Sequence, residues 1–393
     1  MSATATTVEL PVTGDRQESP EWVRISYASA LALGFKSGRF SRPFPFGGIN
    51  LLLSYDRGCS SDCGYCGLAR NRPGEYEEKS FIRVEWPLVA TDELIARLVR
   101  HQASLTRLCI SMVTHGRAFA DTLEITRRIT AQVDAPLSLL VAPPTLNRDR
   151  LAAFRAAGAD MIGIGMDAVT EDLFASLRTN VPQGGLRWDQ YWSIVGHARE
   201  IFGAWKVNCH TLVGLGECDA DLLGIFDRLL DQEIFSYLFC FNPEPDSRMG
   251  HLPKTPLQRW RRIQLAKFLL EERGLELSAF GFDDDGTLSA IAAPRALVEE
   301  VIADGHAFMT NGCPSSGGEP GCTRPMGSWR PTEAPRDFPW KPTAAETDGI
   351  RADLALDELI RPAPARTRPR ERWAPPAAGR VRAHVDSDQG ERA

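Results

Sequence analysis

Cys59, Cys63 and Cys66 stand within eight residues of one another, in the stretch RGCSSDCGYCGLARN that runs from Arg57 to Asn71. Thiolates are soft donors that select zinc, copper(I) or iron–sulfur clusters. Three of them without a fourth allow two readings. A structural zinc knot takes four ligands. An iron–sulfur cluster held by three thiolates leaves one iron open to something that is not protein. A second group lies far downstream, where Cys313 and Cys322 interrupt MTNGCPSSGGEPGCTRPMGSWRPTEAPRDFPWKP (309–342). That segment is too crowded with Gly and Pro to be regular for long. Incidental thiols, a small disulfide loop or a structural metal are the plain readings of this second pair. Each cysteine follows a glycine, which lets backbone amides come close to sulfur or phosphate.

The elements that must position these residues follow from the hydropathy pattern. Apolar runs of strand length are INLLLSY (49–55), LCISMV (108–113), LSLLVA (137–142), MIGIGM (161–166), VNCHTLV (207–213) and FSYLFCF (235–241). Helical patterns fill the intervals at 92–104, 121–133, 149–157, 171–177, 188–202 and 219–230. Regular alternation of strand and helix implies right-handed crossovers and a parallel sheet. Six such units predict a partial (β/α)6 TIM-like barrel over residues 21–290, with a doubly wound open sheet as the alternative. An irregular Cys-containing C-terminal extension over 291–345 is expected to cap its open end. The first cysteines follow the first strand directly, at the carboxyl end where barrel enzymes build active sites. A zinc knot has no reason to sit there, whereas a cofactor does.

The bulk composition bounds the function. The chain has 393 residues, 43% of them apolar, with a net charge of −6 and a pI near 5.8. An acidic surface disfavours nucleic acid and membrane surfaces as partners, and no apolar run is long enough to span a bilayer. MSATATTVELPVTGDRQESP lacks the basic-then-apolar order of a signal peptide. The expected compartment is cytoplasmic and reducing, so the nine cysteines are expected as metal ligands or buried thiols. Residues 1–20, and most of the Pro/Ala/Arg-rich region 346–393, are expected to be disordered.

The spacing Cys-x3-Cys-x2-Cys, with Tyr65 just before the last cysteine, resembles the signature of radical S-adenosylmethionine (SAM) enzymes. The resemblance implies that Cys59, Cys63 and Cys66 hold a [4Fe-4S] cluster whose fourth iron is chelated by SAM. One electron then yields a 5′-deoxyadenosyl radical that abstracts an unactivated hydrogen, and an electron donor such as ferredoxin or flavodoxin is implied. MIGIGMDAVTEDLF resembles the fourth-strand segment of biotin-synthase-like members, which assigns Asp167 to the SAM ribose. A helix N-cap is the plain alternative for that residue. GGLRWDQYW puts Arg187 where those relatives pair the SAM carboxylate, a task suited to a two-pronged donor. Its alternative is a surface arginine. HTLVGLGE resembles the glycine motif after the fifth strand, assigning Gly214 and Gly216 to the cofactor. FNPEPDSRM resembles the sixth-strand turn, and Tyr65 and Ser111 complete the expected cofactor-binding set.

KSFIRVEWP (79–87) and the tail sequence CTRP resemble the radical SAM subunits of two-protein lipoyl synthases, which insert sulfur into an octanoyl chain. In those proteins the tail cysteines are closely spaced, whereas here eight residues separate Cys313 from Cys322. The resemblance implies that this pair is catalytic, holding an auxiliary iron–sulfur cluster that donates sulfur. The remaining ligand is left open among Cys109, His306, Arg324, Ser315 and the substrate. A biotin-type cluster is not expected, because Asn208 stands where the biotin enzyme has a ligand and Cys209 is one step off. A small-molecule or carrier-bound substrate is implied, an octanoyl chain or a natural-product sugar or nucleoside, and a second radical SAM protein as a partner. The other enzymatic reading is a radical dehydrogenase, epimerase or rearrangement enzyme whose auxiliary cluster only moves electrons. A non-catalytic metal-binding protein would leave the SAM-side residues without a purpose.

Overall fold

The computed structural model describes residues 16–368, apart from 41, 45, 75–78, 80–83, 179–185 and 311. The expectations for residues 1–15 and for the tail beyond 368 lie outside the described residues. The centre is one sheet of eight strands. They are β1 (Trp22–Ile25), β2 (Gly48–Leu53), β3 (Leu88–Ala90), β4 (Arg107–Ser111), β5 (Leu137–Val141), β6 (Met161–Asp167), β7 (Val207–Val213) and β8 (Phe235–Cys240). Their order is β3-β1-β2-β4-β5-β6-β7-β8. From β2 to β8 every neighbouring pair is parallel, giving the six parallel strands of a partial barrel. β1 runs antiparallel to both β2 and β3 and extends the edge.

The crossovers are helices. α1 (Tyr27–Ala32) precedes β2, and α2 (Thr91–Arg100), α3 (Ala118–Thr130), α4 (Arg148–Ala156), α5 (Glu171–Arg178), α6 (Trp188–Phe202) and α7 (Asp219–Asp231) cover the parallel strands. Their starts are chemically marked. Asn147 accepts from the Arg150 amide to cap α4, and the Cys218 sulfur accepts from the Asp221 amide to cap α7. β2 is buried at all six positions, as expected of a parallel strand covered on both faces. No helix among the described residues is long and apolar enough to cross a membrane.

After β8 come α8 (Leu257–Glu271), β9 (Phe280–Phe282), β10 (Leu288–Ala292), α9 (Arg295–Asp304), α10 (Ala344–Leu354), α11 (Leu356–Leu359) and β11 (Ile360–Arg361). β9, β10 and β11 form a separate three-stranded sheet. Regular structure therefore continues into the region from 346 onward. A Thr343–Glu346 capping box starts α10, and β11 is held in parallel register on β10. The irregular part of the extension is confined to about 309–342. It fills the gap beside β8: the Cys240 amide donates to Ser328 Oγ at 3.2 Å, while Met326 and Trp329 pack with Ala28 of α1 and with Val84.

Candidate active site

The first cysteines lie on the loop leaving β2. Ser60 and Ser61 fasten it to the end of the neighbouring strand segment, donating to the Thr114 carbonyl at 2.7 Å and to Thr114 Oγ1 at 2.8 Å. Asp62 accepts from the Asn71 amide at 3.0 Å, and the Gly64 amide donates to the Leu177 carbonyl of α5 at 2.9 Å. Arg248 donates to the Asp62 and Leu177 carbonyls at 3.1 and 2.9 Å. A Cβ on Gly64 would lie 3.1 Å from that guanidinium, so the tie leaves little room for a side chain. Burial pushes the Cys59 and Cys66 thiols up, and the neighbouring Cys63 pushes them further. Three crowded thiolates need a compensating cation, which is what iron in a [4Fe-4S] cluster provides, so the donor set fits that group.

The same three cysteines line a cavity of about 240 Å3 inside the barrel, together with Ser111, Asp167 and Arg178. Asp167 ends β6 at φ +61°, after a register shift between Gly165 and Asp167. Its carboxylate accepts from the Tyr65 hydroxyl at 2.5 Å and from Arg178 at 2.9 Å. Asp167 and Tyr65 thus reach the expected cavity, and so does Ser111. Arg187 does not. It lies at the start of α6, its side chain is 66% exposed, and its partner is Asp189. Two arginines do line the cavity, Arg324 and Arg178; Arg178, on the last turn of α5, also donates to the Gly165 and Met166 carbonyls at 2.7 and 3.0 Å. Its Nε is buried and has no hydrogen-bond partner among the described residues. Gly214 and Gly216 are not among the cavity's lining residues. They have φ +106° and +120° and shape the turn after β7. There Glu217 accepts from the Gly214 and Leu215 amides at 2.7 and 2.8 Å, and a Cβ on Gly214 would collide with Thr255 Oγ1 at 2.1 Å.

Asn242 was not anticipated. It lines the cavity just past β8, is 6% exposed, and neither atom of its amide has a partner among the described residues. A donor and an acceptor side by side match the edge of adenine. Arg178 and Asn242 thus both line the cavity and carry polar atoms without a partner among the described residues.

The second pair enters from the other end of the barrel. Backbone bonds fold 312–322 into a narrow loop: the Cys322 amide donates to the Cys313 carbonyl at 3.0 Å, and Gly312 donates to the Cys322 carbonyl at 3.1 Å. The eight intervening residues therefore do not keep the cysteines apart. The loop abuts the first residues of the strands, with Thr106 Oγ1 donating to the Gly321 carbonyl at 2.8 Å and Arg107 Nε to the Pro314 carbonyl at 2.5 Å. Glycine before each cysteine is required by close packing: a Cβ on Gly312 would lie 2.3 Å from the Tyr237 ring, and one on Gly321 2.6 Å from the Ser315 amide. The extension is expected from the sequence to cap the open end of the barrel. It fills the open side of the barrel, but its cysteine loop plugs the amino-terminal end of the strands.

What the loop meets there is a polar layer. Asn50, Cys109 and Ser138 are register neighbours on β2, β4 and β5. The Cys322 thiol points at Asn50 Oδ1 at 3.7 Å, Asn208 Nδ2 donates to Cys313 Sγ at 3.1 Å, and the Tyr237 hydroxyl donates to the Cys322 carbonyl at 3.2 Å. Burial pushes the Cys313 thiol up to about 11, with Arg107 pulling it back. Cys109 is raised by burial and by Cys322 and Cys313, against the charges of Arg324 and Arg107. Cys109, Cys313 and Cys322 thus meet one polar layer at the amino-terminal ends of the strands. Of the other candidate ligands, Arg324 lines the SAM-side cavity and lies 5.5 Å from the Trp86 and Phe239 rings. His306 is paired with Asp304 at 2.6 Å, and the Ser315 amide is used within the loop. Cys209 faces the apolar core on β7.

Residues 53–229 match the family model described as Radical SAM superfamily. Among curated proteins the chain is similar to a biotin synthase of Afipia carboxidovorans, with 26% identity over 177 residues, 45% of this chain and 47% of the relative. The chain thus spans about half the length of that relative. Among solved structures it overlaps methylornithine synthase at TM-score 0.43 and 13% identity, over 56% of this chain and 61% of the other. It also overlaps the FeFe-hydrogenase maturase HydG of Carboxydothermus hydrogenoformans at TM-score 0.41 and 17% identity, over 57% and 51% of the two chains.

Proposed function

We propose that the chain is a radical SAM enzyme that inserts sulfur into an unactivated carbon of its substrate, an octanoyl-type acyl chain in lipoyl-synthase fashion. What supports this reading is that the tail loop brings Cys313 and Cys322 against the strand layer that carries Cys109, with Cys313 on Asn208 and Cys322 on Asn50, the register neighbour of Cys109. Cys59, Cys63 and Cys66 would hold the [4Fe-4S] cluster, and the second triad an auxiliary cluster. When bound, the first with SAM supplies a carbon-centred radical able to remove hydrogen, and the second supplies sulfur.

The protein's own residues do the positioning. Arg178, with its unused Nε, takes the SAM carboxylate. Asp167, fixed by Tyr65 and Arg178, is placed for the ribose, and Asn242 for adenine. The interior wall between the two thiol groups carries Leu140, Leu212 and Phe239, an apolar face that suits an acyl chain and excludes water. His210 stands on the same wall against the rings of Tyr237 and Phe239, with centroids 4.9 and 5.4 Å away. Burial first, then the Arg324 charge, holds its pKa down to about 3, so it is a neutral imidazole at the working pH. A radical formed against this wall reacts with whatever atom is held in contact, because positioning makes the encounter unimolecular.

The test is to separate SAM cleavage from product formation. An octanoyl-lysyl peptide is offered to parent protein and to Cys109→Ala, Cys313→Ala and Cys322→Ala variants, all reconstituted anaerobically. Each variant should keep 5′-deoxyadenosine formation and yield no sulfur-bearing peptide. A variant triad that makes the same product as the parent would remove sulfur insertion and favour a dehydrogenase or rearrangement reading.

A further inference from the structure

A cavity of about 570 Å3 reaches Cys313 of the second pair, and none of the first three cysteines lines it. Its inner wall is formed by Cys313, Asn208 and Tyr237, and its outer wall by α8, α9 and the 318–320 turn. Three features point to what it carries. The outer wall is acidic: Glu272, Glu300, Asp304 and Glu319 outnumber Lys267 and Arg273. Both cations are already paired, Lys267 with Glu271 at 2.5 Å and Arg273 with Glu300 at 2.9 Å, whereas Glu272 and Glu319 have no ion pair among the described residues. At the inner end Asn208 is 2% exposed, and its Oδ1 has no hydrogen-bond partner among the described residues while its Nδ2 donates to the Cys313 sulfur.

A cleft of one charge sign with low-dielectric walls concentrates counter-ions and speeds their entry. Carboxylates outside and a thiol with an amide oxygen inside form a path for a divalent cation with affinity for sulfur and oxygen. We propose that this cavity is the passage by which ferrous iron reaches Cys313, so that the second cluster is assembled and rebuilt without passing the first three cysteines. This rests on the reading that Cys109, Cys313 and Cys322 hold an iron–sulfur cluster. It adds that iron lost from the site can be replaced without emptying the SAM cavity, while the sulfide that a sulfur-donating cluster also consumes is supplied from solution by another route. The passage carries iron only, and no bond to carbon is made or broken in it.

The test follows the filling of each site separately. Iron-free protein is mixed anaerobically with ferrous iron and sulfide, and thiols still free at each time are alkylated with iodoacetamide and mapped by peptide mass. Cys59, Cys63 and Cys66 report the first site, Cys313 and Cys322 the second. Glu272→Gln combined with Glu319→Gln should slow protection of Cys313 and Cys322 about tenfold at low ionic strength, and the difference should fade at high salt. Met309→Trp, which narrows the cavity, should slow it at every salt concentration, and should also slow alkylation of Cys313 in iron-free protein. Neither variant should alter filling of the first site or SAM cleavage. Protection of Cys313 and Cys322 at the parental rate in both variants would overturn the passage and leave sulfur insertion standing. If Met309→Trp does not fold, the carboxylate variant decides alone. Slowed filling of the second site with a sulfur-free product would instead overturn sulfur insertion and leave the passage standing. A parent whose Cys313 and Cys322 are never protected would overturn the second cluster itself.

Discussion

At the scale of single residues, the two arginines give the sharpest contrast. Arg178→Lys keeps a charge but loses the fork that holds Asp167 and leaves Nε for a ligand. Losing one charge-assisted hydrogen bond costs roughly 1.5–3 kcal/mol, so SAM should bind about ten- to a hundredfold more weakly with iron content unchanged. Arg187→Ala should bind SAM like the parent, and equilibrium binding by both variants checks the reassignment. Asn242→Leu, nearly isosteric, should weaken SAM and leave a methionine fragment's binding intact, which a competition assay reads. The swap of Arg187 for Arg178 could not be read from the sequence, since each stands at a helix end and only tertiary packing decides which side chain turns inward. The polar layer is legible in the sequence. Asn50, Cys109, Ser138 and Asn208 each occupy the second place of an apolar run, IN, LC, LS and VN. In parallel strands of matched register those places share one interior face.

At the scale of elements, the six parallel strands and their helices were legible because each is a complete β-then-α unit with its own periodicity. β1 and β3 were not, being strands of four and three residues, too short to show alternation. The cysteine loop escaped because its order comes from partners distant in sequence. Arg107 is the chief of these: 2% exposed, it donates to Asp160 at 2.6 and 2.8 Å, to Ser138 at 2.7 Å and to the Pro314 carbonyl. Arg107→Met should therefore free the loop from the strand ends. Breaking a buried ion pair costs about 3–5 kcal/mol, nearer the lower end here because Asp160 is 28% exposed and can be rehydrated. Denaturant melts should show that loss, and iron analysis should show about half the iron gone with SAM cleavage retained.

At the scale of the whole molecule, one barrel carries two thiol groups at opposite ends and an apolar wall between them. His210 on that wall makes the fold acid-sensitive in a way that can be checked. Its pKa in the folded chain, about 3, lies below the roughly 6.5 of an unfolded histidine. The unfolded chain therefore takes up the proton first as pH falls, so this contribution is complete above pH 6.5 and is lost progressively toward pH 3. His210→Phe should flatten that part of the acid limb of stability, measured by denaturant midpoint at each pH. The most direct measurement of the whole scheme uses the sulfur itself. Both sites are rebuilt with isotopically labelled sulfide, excess sulfide is removed, and one turnover is run with the octanoyl peptide and unlabelled SAM. Sulfur insertion from the second cluster predicts labelled sulfur in the product, turnover that stops near one equivalent, and loss of iron from Cys313 and Cys322 but not from Cys59, Cys63 and Cys66. A product free of label, with both sites intact after many turnovers, would contradict it.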